Sequence, residues 1–169
     1  MDLYFRPAQP DETSIVLQLL KEAALWLQKK RVDYWQDWLN PPLLFVQWIQ
    51  QGFERGEFYL VYQQDELIGC FRLQWEDDAF WGTRAEPAGY LHSLTTVRRL
   101  AGQRWGEHIL TLIEAHCQAA GKEYLRLDCG SQVTGLCRYY ELNGFQQVGS
   151  TTVHGEALTL YEKRIKPQC

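Results

Sequence analysis

The sequence predicts an α/β (α+β) fold, because stretches with a two-residue apolar alternation exchange with stretches of helical period, and glycines fall at several of the joins. Three observations carry this. DETSIVLQLLKEAALWLQKK spaces Ile15, Val16, Leu19, Leu20, Ala23 and Leu27 for one helix face. EFYLVYQQDELIGCFRLQW reads as two β-rich runs folded about Gln64 and Asp65, an antiparallel hairpin. GYLHSLTTV, a helix from Trp105 and then YLRLD make a β-α-β unit whose two strands should lie parallel.

Taken in order, Leu3, Phe5 and Pro7 mark a short first strand, and Asp11 with Ser14 suits the start of the first helix. DYWQDWLNPPLLFVQWIQQG is rich in tryptophan and broken by Pro41 and Pro42. It is expected to form a surface-lying aromatic arm, then a second helix that Gly52 ends. After the hairpin and GYLHSLTTV, the spacing of Ile109, Leu112, Ile113, His116, Cys117 and Ala120 gives a helix that Gly121 stops. In YLRLD, Leu125 and Leu127 point one way and Tyr124, Arg126 and Asp128 the other. A last helix over about 133 to 143 ends at Gly144, and FQQVGS and ALTLYEKRI close the chain as a strand pair.

The chain has 169 residues, enough for a core without disulfides or metals, and a single domain over 1–169 is expected. Apolar residues make up 46%, yet no stretch approaches the roughly 20 apolar residues of a membrane span, so no membrane partner is expected. The net charge of −4 argues against a broad nucleic-acid footprint. MDLYFRPAQPDE lacks the basic start and apolar run of a signal peptide, which predicts a cytoplasmic, reducing location. Cys70, Cys117, Cys129, Cys137 and Cys169 include no C-x-x-C pair and no histidine at ligand spacing. They read as buried small hydrophobes plus one tail thiol, with no metal site.

Between GYLHSLTTV and the helix lies AGQRWG. Backbone N–H groups and the helix dipole attract a phosphate at such a strand-to-helix turn, and glycine permits positive φ and close approach. Arg98, Arg99 and Arg104 place a local positive patch there, which points to a phosphorylated ligand. Neither G-x-x-x-x-G-K-[ST] nor G-x-G-x-x-G is present.

LHSLTTVRRLAGQRWGEHIL, YLRLD and YYELNGF together resemble the Gcn5-related N-acetyltransferases (GNAT), over nearly the whole chain. The resemblance implies a mixed central sheet of about seven strands with helices on both faces, and acetyl-coenzyme A as co-substrate. The family's turn, [RQ]-x-x-G-x-[GA], falls here on Ala101, Gly102, Gln103, Arg104, Trp105 and Gly106, with Glu107 following. Ala101 and Arg104 depart from the pattern and Gly106 keeps it. Arg104 is expected to need an unstrained backbone, and either to hold a phosphate with its side chain or to crowd the pyrophosphate. Arg99 belongs to the same cofactor-binding set, and so do Leu94, Thr95 and Thr96, whose backbone amides a strand bulge would offer to the thioester carbonyl and the pantetheine arm. Where relatives carry an asparagine near the start of the last helix this chain has Val133, so that contact is lost or replaced by Ser131 or Gln132.

The same resemblance makes Tyr140 the group that protonates the departing thiolate, and His92 the base that helps deprotonate the amine. Packing alone would also account for Tyr140, and a histidine satisfied within the sheet for His92. An alkyl amine with pKa near ~10.4 is almost wholly protonated at neutral pH, so a base is required. Glu86, Glu76, Asp77 and Asp78 are alternative bases or attractors for a cationic substrate. Trp35 and Trp38 in the arm are the expected aromatic contacts to substrate. The function read from these residues is acetyl transfer from acetyl-coenzyme A to a primary amine, a small molecule first and a protein amine second, by a monomer or homodimer. The alternative is a non-catalytic acyl-coenzyme A binding or interaction module on the same scaffold.

Overall fold

The computed structural model describes residues 2–167, so the tail thiol Cys169 lies outside the described residues. Seven strands form one mixed sheet: β1 (Leu3–Pro7), β2 (Phe58–Gln63), β3 (Glu66–Gln74), β4 (Ala88–Thr96), β5 (Tyr124–Gly130), β6 (Gln146–Val153) and β7 (Glu156–Arg164), in the order β1-β2-β3-β4-β5-β7-β6. The helices are α1 (Thr13–Lys29), α2 (Leu43–Glu54), the single turn α3 (Asp78–Trp81), α4 (Trp105–Ala119) and α5 (Thr134–Leu142). Among the described residues no helix is long and apolar enough to cross a membrane.

The chain divides into two compact units, residues 1–72 with 93–109 and residues 73–92 with 110–169. In the first, β1, β2 and β3 pair antiparallel. The hairpin turns at Gln64, which takes φ +52. Helix α1 buries Val16, Leu19, Leu20, Ala23 and Ala24, the stripe a 3.6-residue period requires. Its start differs from expectation. Glu12, not Asp11, precedes the first helical residue, and its carboxylate bonds the Gln9 amide at 2.7 Å and Arg6 at 2.6 Å. The Arg6 guanidinium holds that carboxyl down to about 2.

Two further expectations are corrected in this unit. Helix α2 runs through Gly52 to Glu54 and is closed instead by Gly56 at φ +67, whose amide bonds the Phe53 carbonyl at 3.1 Å. Glycine is needed at position 52 within the helix because a Cβ there would run into the Phe58 ring and the Arg72 guanidinium. The aromatic arm does not lie on the surface. Tyr34 and Trp38 are buried, Trp38 packs on Phe45 at 5.1 Å, and Gln36 ties the segment to the Ala24 carbonyl at 3.0 Å. Rings of this size gain more from burial than a solvent-facing loop could give them.

In the second unit β4 pairs parallel with β5, and β7 lies antiparallel between β5 and β6. Gly89 lets β4 approach Cys117 of α4, which a Cβ would meet at 2.7 Å. The alternation expected for β5 holds in direction, but its second face is not solvated. Arg126 is 2% exposed, bonded to the Tyr90 hydroxyl and Glu162 at 3.0 Å each, under the rings of Trp81 and Tyr124. Cys70, Cys117 and Cys129 are buried free thiols and Cys137 is half-buried.

Candidate active site

Three polar side chains converge beneath Phe80. Strand β4 delivers His92, and the parallel register that sets Leu91 beside Leu127 puts the next residue of each strand, His92 and Asp128, side by side. The third is Asp77, in the segment between β3 and α3. It precedes the first residue of α3 and makes no side-chain cap there. Its carboxylate turns to His92 instead, with Oδ2 2.7 Å from Nε2. The other ring nitrogen, Nδ1, lies 3.7 Å from Asp128 Oδ2. The Phe80 ring covers the imidazole at 4.7 Å. The side chains of His92, Asp77 and Asp128 are 8%, 3% and 7% exposed.

With Asp77 ionised, the short contact requires Nε2–H to donate to it, which leaves the lone pair of a neutral ring on Nδ1. Asp128 Oδ2 is buried without a hydrogen-bond partner. Burial, before any charge effect, pushes the Asp128 carboxyl up to about 6. Donor atoms of the three residues lie within 4.8 Å of one another. Each carboxylate faces a different ring nitrogen of His92.

Of the other carboxylates named from sequence, Glu86 is exposed, 3.6 Å from Arg126, its carboxyl lowered by a backbone hydrogen bond and then by Arg126. Asp78 accepts from the Thr83 hydroxyl at 3.3 Å, and Glu76 is exposed. Neither joins the cluster. Sequence reasoning named Asp77 only among alternatives and missed Asp128. The signal available was the parallel alignment of GYLHS with YLRLD, which places His92 opposite Asp128 once the register is known.

The parallel register runs to Leu91, and Ser93 then takes φ +56, a left-handed residue inside a strand. Leu94, Thr95 and Thr96 complete β4. The Thr95 carbonyl lies so close to Gly69 that any Cβ there would collide with it. A 3-10 turn over Arg98–Leu100, the exposed Ala101, and Gly102 at φ +85 lead through Gln103 into α4. Trp105 is buried and its indole bonds the Gln103 side chain at 3.3 Å, while Gly106 and Glu107 form the first turn.

Arg104 takes φ +60, so the unstrained backbone expected for it is corrected. The family's glycine at that position suits the left-handed conformation. The positive patch is also smaller than the sequence implied. Arg104 pairs with Glu107 at 2.5 Å and Arg99 with Glu66 at 2.6 Å, while Arg98 bonds Thr96 and lies 5.2 Å over the Trp26 ring.

Tyr140 lies on α5, buried and edge-on to Phe145 at 5.6 Å. Val133 precedes the first residue of α5, and the Ser131 hydroxyl accepts from Thr159 at 2.9 Å. Trp35 takes φ +60 and stacks on Tyr34, and Trp38 packs into the core, so Trp38 presents no open face to a ligand.

A seven-strand mixed sheet with helices is the fold of solved GNAT-family acetyltransferases. The chain belongs to the acetyltransferase (GNAT) family, whose profile matches residues 18–145, and it is an N-acetyltransferase. It is 27% identical over 168 residues to the N-acetyltransferase YesJ of Bacillus subtilis, covering 96% of this chain and 90% of that protein. A GNAT-family acetyltransferase from Listeria monocytogenes has 26% identity and a TM-score of 0.77, over 96% of this chain and 94% of that one. The PaiA N-acetyltransferase of Thermoplasma acidophilum, solved in complex with coenzyme A, shares the fold with a TM-score of 0.62 and 17% identity, over 97% and 99% of the two chains.

Proposed function

We propose that the chain, as one domain over 1–169, transfers an acetyl group from acetyl-coenzyme A to the primary amine of a small molecule in the cytoplasm. The observation that carries this reading is His92, in the strand before the glycine turn, its ring held at 2.7 Å by the Asp77 carboxylate. A histidine needed only for packing would not call for a carboxylate drawn away from a helix cap to meet it.

For the co-substrate, support comes from the turn. A Cβ at Gly102 would meet nothing within 4 Å, and Ala101, Gln103 and Arg104 are exposed at the start of a 15-residue helix. The amides of Gly102 to Gly106 would take the pyrophosphate, and Leu94, Thr95 and Thr96 the pantetheine and the carbonyl. In the chemical step the ammonium gives one proton to His92, and the amine nitrogen attacks the thioester carbonyl. The C–N bond forms, the C–S bond breaks, and the sulfur leaves with a proton from Tyr140. As the amide forms, the nitrogen loses a second proton, which restores Tyr140 through solvent, so the net release is one proton.

The experiment is calorimetric titration with acetyl-coenzyme A of the parent and Arg104→Gly, followed by thiol release with a panel of arylalkyl and alkyl amines. Micromolar binding and amine-dependent thiol release are expected. Binding without thiol release by any amine would leave a coenzyme A binding module, and no binding by the parent would remove the reading.

A further inference from the structure

We propose that Cys129 and Cys137 form a thiol–disulfide exchange site: a small-molecule disulfide entering the cleft between α5 and the β6–β7 pair is attacked by Cys137, and Cys129 then closes a disulfide within the chain. Neither sulfur takes part in the acetyl transfer proposed above, and the inference stands or falls apart from it.

The sequence holds no C-x-x-C pair, and it is the fold that brings two thiols together. Cys129 lies next to the last residue of β5 and Cys137 in the first turn of α5. The chain reverses between them, and their sulfurs stand 3.4 Å apart. Cys137 Sγ is also 3.6 Å from the Gly130 carbonyl, to which a thiol can only donate. With the Cys137 proton directed there, the contact between the sulfurs is the Cys129 S–H donating to Cys137 Sγ.

The two thiols differ in access. Cys129 is 0% exposed, and burial, ahead of the neighbouring Cys137, pushes its thiol well above the ordinary value, which keeps it protonated. Cys137 is half-buried and forms part of the wall of an open cleft of about 640 Å³, shared with Ser131, Thr134, Arg138, Glu141 and Tyr161. A reagent in the cleft therefore meets Cys137 first. The exposed Arg138 and the Ser131 and Thr134 hydroxyls suit the carboxylates and amides of a small peptide disulfide.

In the first step the Cys137 sulfur bonds to one sulfur of the entering disulfide, the S–S bond of that disulfide breaks, and the departing sulfur takes the Cys137 proton. In the second the Cys129 sulfur attacks Cys137 Sγ, the mixed disulfide breaks, and the second small thiol leaves with the Cys129 proton. Two protein thiols are oxidised and one small disulfide is reduced to two thiols.

The test uses oxidised glutathione as probe on the folded protein, followed by alkylation of remaining thiols in denaturant, trypsin digestion and mass spectrometry. Residues 127–138 contain no internal lysine or arginine, so one tryptic peptide carries both cysteines. In the parent that peptide should lose two hydrogens and escape alkylation, and dithiothreitol should restore both thiols. Reaction there should be roughly tenfold or more faster than at the buried Cys70 and Cys117. Cys129→Ser should stop at a glutathione adduct on Cys137, and Cys137→Ser should leave Cys129 reduced while the protein is folded. A lasting glutathione adduct on Cys137 in the parent, or a peptide that reacts no faster than Cys70 and Cys117, would overturn the site. If a variant does not fold, the parent peptide still decides.

Discussion

Replacing Asp128 by asparagine should stabilise the protein at alkaline pH, and the pH dependence tells why. The Asp128 carboxyl is raised from 3.8 to about 6, chiefly by burial. A group whose folded pKa lies above its unfolded value stabilises the fold most when protonated. That contribution is full below about pH 4 and is lost as pH rises through about 6. A shift of roughly two units at about 1.4 kcal/mol each makes the ionised Asp128 cost on the order of 3 kcal/mol above that window. Asparagine has nearly the same shape and cannot ionise. At about pH 8 the variant should therefore melt roughly 6–12 °C above the parent, at ~2–4 °C per kcal/mol for a chain of this length. The gap should close near pH 4. Thermal unfolding of both proteins followed across this range measures it directly. Parallel melting curves at every pH, or a variant that melts lower at pH ~8, would refute the assignment of Asp128 as a carboxyl ionised at a cost to the fold.

Glu57→Ala should cost ~3–5 kcal/mol in urea unfolding, because it leaves the Arg72 guanidinium, 0% exposed and bonded to Glu57 at 2.8 Å, as a buried charge; adding Arg72→Met should recover most of that. Gly69→Ala should destabilise by roughly 1–3 kcal/mol through collision with the Thr95 carbonyl, read in the same assay. Arg104→Gly removes a non-glycine residue from φ +60 and an exposed ion pair with Glu107, so its melting temperature should stay close to the parent's while acetyl-coenzyme A affinity rises in calorimetry. Tyr140→Phe should lower kcat by roughly tenfold or more with little change in acetyl-coenzyme A affinity. An unchanged kcat would leave Tyr140 a packing residue.

What could be read in the sequence was what is local. The β-α-β unit, the hairpin at Gln64 and the glycine turn before Trp105 follow from periods of two and 3.6 residues and from punctuation, and all three stand where they were expected. The readings that failed depended on distant partners. Gly52 looks like a helix stop until the Phe58 ring is seen to need its missing Cβ, and the tryptophan arm looks exposed until Trp38 is seen against Phe45. Arg104 is expected to keep an unstrained backbone, because nothing in AGQRWG announces the left-handed conformation it takes.

His92 belongs to both groups. Its place in LHSL is local, whereas its chemistry is set by what the register brings beside it. Side chains alternate across a sheet, so a slip of one residue in the pairing of Leu91 with Leu127 would send Asp128 to the opposite face and leave Nδ1 without a carboxylate. The same register buries Arg126 against Tyr90 two residues earlier, where a guanidinium bonded to a hydroxyl and two carboxylates would be costly to displace. The register that sets Tyr90 beside Arg126 is thus the one that sets His92 beside Asp128, so the buried ion cluster and the histidine share one strand alignment.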